Sequence, residues 1–129
     1  MDTGKAALGG LDGNLAAALG YPIGIIALIS FFMEKENRFV KFHAIQSLLF
    51  GIGGFIVVFA LQIILMIFGA VLTQISGLLG TLVWVLALLC WFLYLVVFIG
   101  LIFAAVKAYG GDMFKLPVVG NMAENMANK

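Results

Sequence analysis

Long apolar stretches separated by short polar ones dominate the chain. Apolar residues fill about 15–33, 37–72 and 78–109, and each stretch approaches or exceeds the roughly 20 residues that cross a bilayer as a helix. The polar breaks between them are short, EKE at 34–36 and TQISG at 73–77. The pattern therefore predicts an all-α integral membrane protein, a bundle of three transmembrane helices.

The two ends of the chain are more polar than its middle. Residues 1–14 are rich in glycine and polar groups, and they lack the basic start and small-residue cleavage site of a signal peptide. Two glycines at 110–111 are expected to end the third helix, so the predicted membrane domain covers residues 15–111. The tail, 112–129, fits a short amphipathic interfacial segment, and a frayed tail fits the same residues.

Lysine and arginine are distributed unevenly around the predicted spans. With three crossings, the first loop and the C-terminus lie on one side of the membrane and the N-terminus on the other. The first side would hold six of the seven Lys and Arg residues, and the other side only Lys5. Because positively charged loops stay in the cytoplasm, we expect a multi-pass protein of the cytoplasmic membrane. Its N-terminus would lie outside, and its first loop and C-terminus inside.

Polar side chains gather where the second predicted span begins and the third ends. Both points lie at one membrane face, so we expect a polar cluster there. Its predicted members are Glu34, Arg38, Lys41, His43, Gln46, Ser47, Lys107 and Tyr109. One interpretation is structural: the cations reach lipid phosphates, and His43 with Gln46 satisfies helix-end carbonyls. The other interpretation is a functional polar entrance into the bundle.

Small residues and one glutamine form a stripe along the second and third predicted spans. The stripe comprises Gly51, Gly54, Gln62, Gly69, Gly100 and Ala104. Lipid gives helices no hydrophobic reason to associate, so small residues mark the faces at which helices approach closely. The stripe predicts either packing between helices, with Gln62 in an interhelical hydrogen bond, or the lining of a pore.

The composition limits the classes of function that the chain can have. Of 129 residues, 64% are hydrophobic and 10% charged, and the net charge is +1. These values argue against a soluble domain and against nucleic-acid binding. The chain has one histidine and one cysteine, Cys90, which provide no catalytic pair, no cysteine-based metal site and no internal disulfide. We therefore expect no enzyme, no cofactor and no metal.

Two motifs resemble a known family of membrane proteins. The stretch YPIGIIALISFFMEKENRFVKFHAIQSLLF contains an Asn, then Phe-Val, a basic residue, Phe-His-Ala and Gln-Ser, and KAYGGDMFKLPVVGNMAE contains Ala-Tyr and Leu-Pro-x-x-Gly. These motifs resemble small prokaryotic membrane proteins of uncharacterised function related to the Tic-twenty-like family, which is named for a chloroplast inner-envelope import component. The resemblance implies a membrane fold and a link to protein or membrane biogenesis.

Two hypotheses about function follow from the pattern and the resemblance. The first is a non-enzymatic membrane component that contacts membrane lipid and associates with itself as a homo-oligomer or with other membrane proteins. The alternative is a small oligomeric channel or transporter, in which Gln62 and the stripe at Gly51 and Gly54 line a pore.

Overall fold

The computed structural model describes residues 3–128, and these residues form five α-helices. The helices are α1 (Gly13–Gly20), α2 (Gly24–Met33), α3 (Arg38–Ile75), α4 (Gly77–Tyr109) and α5 (Val119–Ala127). Residues 3–128 contain no β-strand, although one isolated antiparallel bridge joins Lys5 and Asp12. The predicted all-α class is confirmed.

α3 and α4 form a long antiparallel hairpin. With 38 and 33 residues, they are about 57 and 50 Å long at 1.5 Å per residue. Among residues 3–128, they are the two helices whose length and hydropathy suit a membrane span. Only Ser76 separates them, and its hydroxyl accepts a hydrogen bond from the backbone N–H of Leu79, which caps α4. We call the end of the hairpin at Ser76 the distal end of the molecule.

Glycines let the two long helices approach each other closely. A Cβ atom at Gly69 would lie 3.0 Å from the Trp84 ring, and one at Gly100 would lie 2.8 Å from the Phe50 ring. A larger residue at either position would therefore push the helices apart or displace an aromatic ring. In lipid, this close approach supplies much of the attraction between helices.

The first apolar segment folds into two short helices instead of one long helix. α1 has 8 residues and α2 has 10, about 12 and 15 Å of helix, so neither crosses a hydrocarbon core of about 30 Å. Tyr21 and Pro22 form the turn, because proline cannot continue the hydrogen bonding of α1. Gly20 then packs on Ala27: a Cβ atom added to Gly20 would lie 3.4 Å from the Cβ of Ala27. The prediction of three transmembrane helices is therefore not confirmed.

The N-terminal residues lie at the same end of the molecule as the 34–37 loop. The Asn37 amide donates to the carbonyl of Thr3 at 2.7 Å, and the backbone N–H of Ala7 donates to Glu34 at 2.7 Å. α1 and α2 thus run away from this end and return to it. The predicted placement of the N-terminus opposite the first loop is wrong, because these bonds hold both together. We call this end the charged end, since it holds every Lys and Arg of residues 3–128.

The C-terminal segment closes the charged end. After α4, residues 112–118 run without helix, and α5 then packs on α3. Ala123 and Ala127 of α5 form a buried apolar group with Phe42 and Ile45 of α3. Of the two alternatives for the tail, the short helix is the one that the structure contains.

Candidate functional site: a buried polar cluster at the charged end

α3 begins at the charged end with a side-chain cap. The Asn37 side chain accepts a hydrogen bond from the backbone N–H of Val40 at 3.2 Å, and its own backbone N–H donates to Glu34 at 3.0 Å. The following residues 39–47 are all buried except Lys41, because α1, α2 and α5 surround this part of α3. Polar side chains here therefore face protein atoms instead of water or lipid.

His43, Gln46 and Ser47 lie in this buried part of α3 and meet the turn between α1 and α2. The Tyr21 hydroxyl lies 2.6 Å from His43 Nδ1, and the Gln46 amide donates to the same hydroxyl at 2.7 Å. The Ser47 hydroxyl donates to the carbonyl of Gly20 at 2.8 Å. We call the four side chains of Tyr21, His43, Gln46 and Ser47 the polar cluster.

The polar cluster also holds the tail, through backbone atoms of three alternate residues. His43 Nε2 lies 2.9 Å from the carbonyl oxygen of Asp112. Gln46 donates to the carbonyl of Phe114 at 2.9 Å, and its Oε1 accepts from the backbone N–H of Leu116 at 2.8 Å. The cluster thus joins α3 both to the α1–α2 turn and to the segment that leads into α5.

These partners define the hydrogen positions in the cluster. A carbonyl only accepts, so His43 Nε2 carries a proton that it donates to Asp112, and Nδ1 of the neutral ring accepts the Tyr21 O–H. Burial raises the pKa of the Tyr21 hydroxyl, and the hydrogen bond from Gln46 opposes that shift. The hydroxyl therefore stays protonated and remains a donor. Both ring nitrogens of His43 and both N–H groups of Gln46 are thus engaged in hydrogen bonds within the protein.

Three aromatic rings enclose the His43 imidazole. The ring centres of Tyr21, Phe39 and Phe42 lie 5.5, 4.6 and 4.9 Å from that of His43, each in an edge-to-face arrangement. His43 and Gln46 have no exposed surface, at 0% each. Because this apolar shell excludes water, a hydrogen bond lost from the cluster would not be replaced by one to solvent.

The other residues predicted for the polar cluster lie around it. Glu34 is buried and accepts the bond from Ala7 described above. The Lys107 ammonium lies 5.7 Å from the centre of the Phe103 ring, a cation–π distance. The side chains of Arg38, Lys41 and Tyr109 are exposed or half-buried. Residues 3–128 contain no group of three or more His, Cys, Asp and Glu side chains that could hold a metal ion.

Tyr21 is the member of the polar cluster that sequence analysis missed. It lies within an apolar segment, and hydropathy alone assigns such a segment to lipid. The available signal was the proline that follows it, because a bend at Pro22 brings the tyrosine hydroxyl close to another helix. The tail partners gave no signal, since their contribution comes from backbone atoms.

The small-residue stripe lies between α3 and α4. A Cβ atom at Gly51 would lie 3.7 Å from Leu101, and one at Gly54 would lie 3.1 Å from Val97. Gly69 and Gly100 pack as described above, and Ala104 is fully buried. Gln62 is 8% exposed, and its Oε1 has no hydrogen-bond partner in the described part of the chain. Because α4 covers the stripe, it does not line a pore within one copy of the chain.

The fold and its apolar surface define a small helical membrane protein, and comparison with known proteins gives its family. The sequence model of the Magnetosome magnetite crystal formation protein family matches residues 2–123, and the chain belongs to this family. A UPF0132 membrane protein of Methanocaldococcus jannaschii is 40% identical over 124 residues, which cover 94% of this chain and 93% of the relative. A UPF0132 membrane protein of Archaeoglobus fulgidus is 41% identical over 112 residues, covering 86% and 91%. No solved structure matches the chain.

The resemblance to the Tic-twenty-like family is therefore wrong. The family match and the archaeal relatives place the chain in a different group. The two motifs that suggested the resemblance contain His43, Gln46 and Leu116, which build the polar cluster and its contact with the tail. Those residues indicate how the chain folds, and they carry no information about protein import. The link to protein or membrane biogenesis is withdrawn with the resemblance.

Proposed function

We propose that the protein is a non-enzymatic membrane component that associates with copies of itself, or with other membrane proteins, through the outer surfaces of α3 and α4. The observation that supports this proposal is the separation of polar and apolar groups. The polar cluster is buried and uses its hydrogen-bonding groups internally. The hairpin instead exposes large apolar side chains, such as Ile56 at 59% and Phe92 at 63%.

The outer surface of α3 has a place where a second helix would fit closely. Gly53 lies there, and a Cβ atom added to it would meet nothing within 4 Å. Ala60 is also exposed, and seven residues make about two helical turns, so both residues lie on one face. Helices in lipid approach most closely where side chains are small. This face supports self-association through α3.

The distribution of charge supports an orientation for the protein. All Lys and Arg residues between 3 and 128 lie at the charged end, and the distal end has only uncharged polar residues such as Thr73 and Gln74. Segments rich in Lys and Arg stay on the cytoplasmic side of a membrane. The proposed orientation therefore has the charged end in the cytoplasm and the hairpin in the cytoplasmic membrane.

The alternative function is a small oligomeric channel or transporter. The observation that favours it is the Oε1 atom of Gln62, a buried polar atom in a long apolar helix for which the described residues provide no hydrogen-bond partner. Polar groups inside membranes often mark transport pathways. A pathway along Gln62 would require α3 and α4 to separate, because they now pack along that stripe.

The test of self-association compares two substitutions on α3. Gly53→Leu adds bulk to the proposed contact face, whereas Ile56→Leu keeps the volume at an exposed site. We expect Gly53→Leu to reduce the dimer or higher oligomer seen by native mass spectrometry in a lipid-like detergent, and Ile56→Leu to leave it unchanged. A wild-type protein that stays monomeric and forms no crosslinks in its native membrane would contradict the proposal. Solute flux into liposomes that Gln62→Leu abolishes would favour the channel.

A further inference from the structure

The molecule is wider at the charged end than at the distal end. At the charged end α1 contacts α2, α3 and α4, and α2 contacts α3, so four helices lie together. Within the described part of the chain, only α3 and α4 continue beyond the turn at Tyr21 and Pro22. A helix about 10 Å in diameter covers roughly 80 Å² in cross-section, so four cover about 320 Å² and two about 160 Å².

The α1–α2 pair extends only part of the way along the hairpin. Ser47, which bonds Gly20 near the turn, lies about 15 Å along α3 from Asn37. The groove beside the turn ends near Phe55 and Ile56. The rest of α3, about 30 Å, continues towards the distal end without the α1–α2 pair beside it. The extra cross-section is therefore confined to one part of the membrane thickness.

The outer face of α2 is apolar, and it ends at charged residues. Ile25 and Phe32 are 65% and 70% exposed, and the exposed Lys35 and Glu36 lie just after the helix. On α4, exposed apolar residues run from Leu78 to Val106, about 42 Å, close to the 40–45 Å of a whole bilayer with its headgroup regions. An apolar helix pair that runs from the charged end to the turn and back therefore fits within the leaflet at the charged end, with the charged residues in its headgroup region.

We infer that the protein acts as a membrane wedge, wider in one leaflet than in the other. It accumulates preferentially in curved bilayers in which the leaflet at the charged end is convex. The α1–α2 pair adds volume to that leaflet alone and expands it relative to the other leaflet. Amphipathic helices that insert into one leaflet only are sensitive to curvature for the same reason. The cations at the same end attract anionic headgroups to the expanded leaflet. The inference follows from the shape of one copy and does not require self-association.

The experiment measures protein density on single vesicles as a function of vesicle diameter. The labelled full-length protein is reconstituted at a low protein-to-lipid ratio into vesicles that contain anionic phospholipid. A protease added outside distinguishes molecules with the charged end outside from those with it inside. We expect density to rise as diameter falls for the first group, because the outer leaflet is convex, and to fall for the second group. A density independent of diameter in both groups, or a change of the same sign in both, would overturn the inference.

Two double variants identify the part of the molecule that is responsible. Ile25→Ala with Phe32→Ala removes volume from the wide end, and Ile63→Ala with Phe68→Ala removes exposed apolar volume from the narrow part of the hairpin. We expect the first variant to lose much of the dependence on diameter and the second to retain it. Circular dichroism of each variant checks that the helices persist. If both variants retain the full dependence, or if only the second loses it, the α1–α2 pair is not the wedge.

Discussion

Gln46 makes more hydrogen bonds in the polar cluster than any other side chain there, so its replacement is the sharpest test of the cluster. Gln46→Leu keeps a side chain of similar size but makes it apolar, and it removes the bonds to Tyr21, Phe114 and Leu116. We expect the α1–α2 turn and the tail to be held less firmly on α3, and the free energy of unfolding to fall.

The size of the loss can be bounded from the structure. Interhelical hydrogen bonds in membrane proteins contribute about 0.6 kcal/mol on average, and on that scale the three bonds of Gln46 give a lower value of about 2 kcal/mol. The substitution also leaves the N–H of Leu116 buried without its partner, which costs about 1–3 kcal/mol. The Phe114 carbonyl is only partly buried, so water can replace its lost bond. We therefore expect a loss of about 2–4 kcal/mol.

A second glutamine on the same helix provides a matched control. Gln62 is also buried in α3, but its Oε1 has no hydrogen-bond partner among residues 3–128. Gln62→Leu is the same chemical change and removes an unsatisfied group, so we expect stability to be unchanged or to rise by up to about 1 kcal/mol. Unfolding of both variants by sodium dodecyl sulfate in mixed micelles, followed by circular dichroism, gives the comparison.

The outcome that would refute this reasoning is a similar effect for both substitutions. If Gln46→Leu costs less than about 0.5 kcal/mol, its hydrogen bonds do not hold the charged end together. Limited proteolysis adds an independent measurement, since the tail of the Gln46→Leu variant should be cut faster than that of the Gln62→Leu variant. Equal rates of cleavage would contradict the proposed role of Gln46 in binding the tail.

Three further predictions concern the turn, the helix packing and the topology. Tyr21→Phe removes the donor to the histidine and should lower the free energy of unfolding by about 1–2 kcal/mol, less than Gln46→Leu does in the same assay. Gly100→Ala should lower the unfolding temperature because of the close aromatic ring, whereas Gly53→Ala, in open space, should leave it unchanged or raise it. Thr3→Cys and Glu36→Cys, each in a Cys90→Ala background, should react with a membrane-impermeant maleimide from the same side of the membrane. Labelling from opposite sides would contradict the placement of both residues at the charged end.

The two long helices could be predicted from the sequence because uninterrupted apolar runs leave few alternatives. The predicted 37–72 and 78–109 correspond to α3 (Arg38–Ile75) and α4 (Gly77–Tyr109). The fold of the first apolar segment, residues 15–33, could not be predicted in the same way. Hydropathy measures how apolar a stretch is, and a stretch of 19 residues can form one span or two short helices joined at a turn. Only Pro22 distinguishes these cases, and a proline is also compatible with a bent span.

The error in the first segment also determined the predicted topology. An odd number of crossings placed Lys5 opposite the other cations, whereas the returning α1–α2 pair brings it to the same end. The polar cluster was easier to anticipate. His43 and Ser47 are four residues apart, so they share a helix face, and Gln46 lies beside it. Their partners could not be predicted, because most are backbone atoms that the fold alone brings close.

Because of the short turn at Ser76, the protein presents polar surface to water almost entirely at the charged end. A single residue turns the chain between two long helices, so the distal end exposes very little backbone to water. A soluble binding partner or a modifying enzyme must therefore reach this protein from the one compartment that bathes the charged end. An epitope inserted after Ser76 would create a binding site for proteins of the opposite compartment, where the native chain exposes very little.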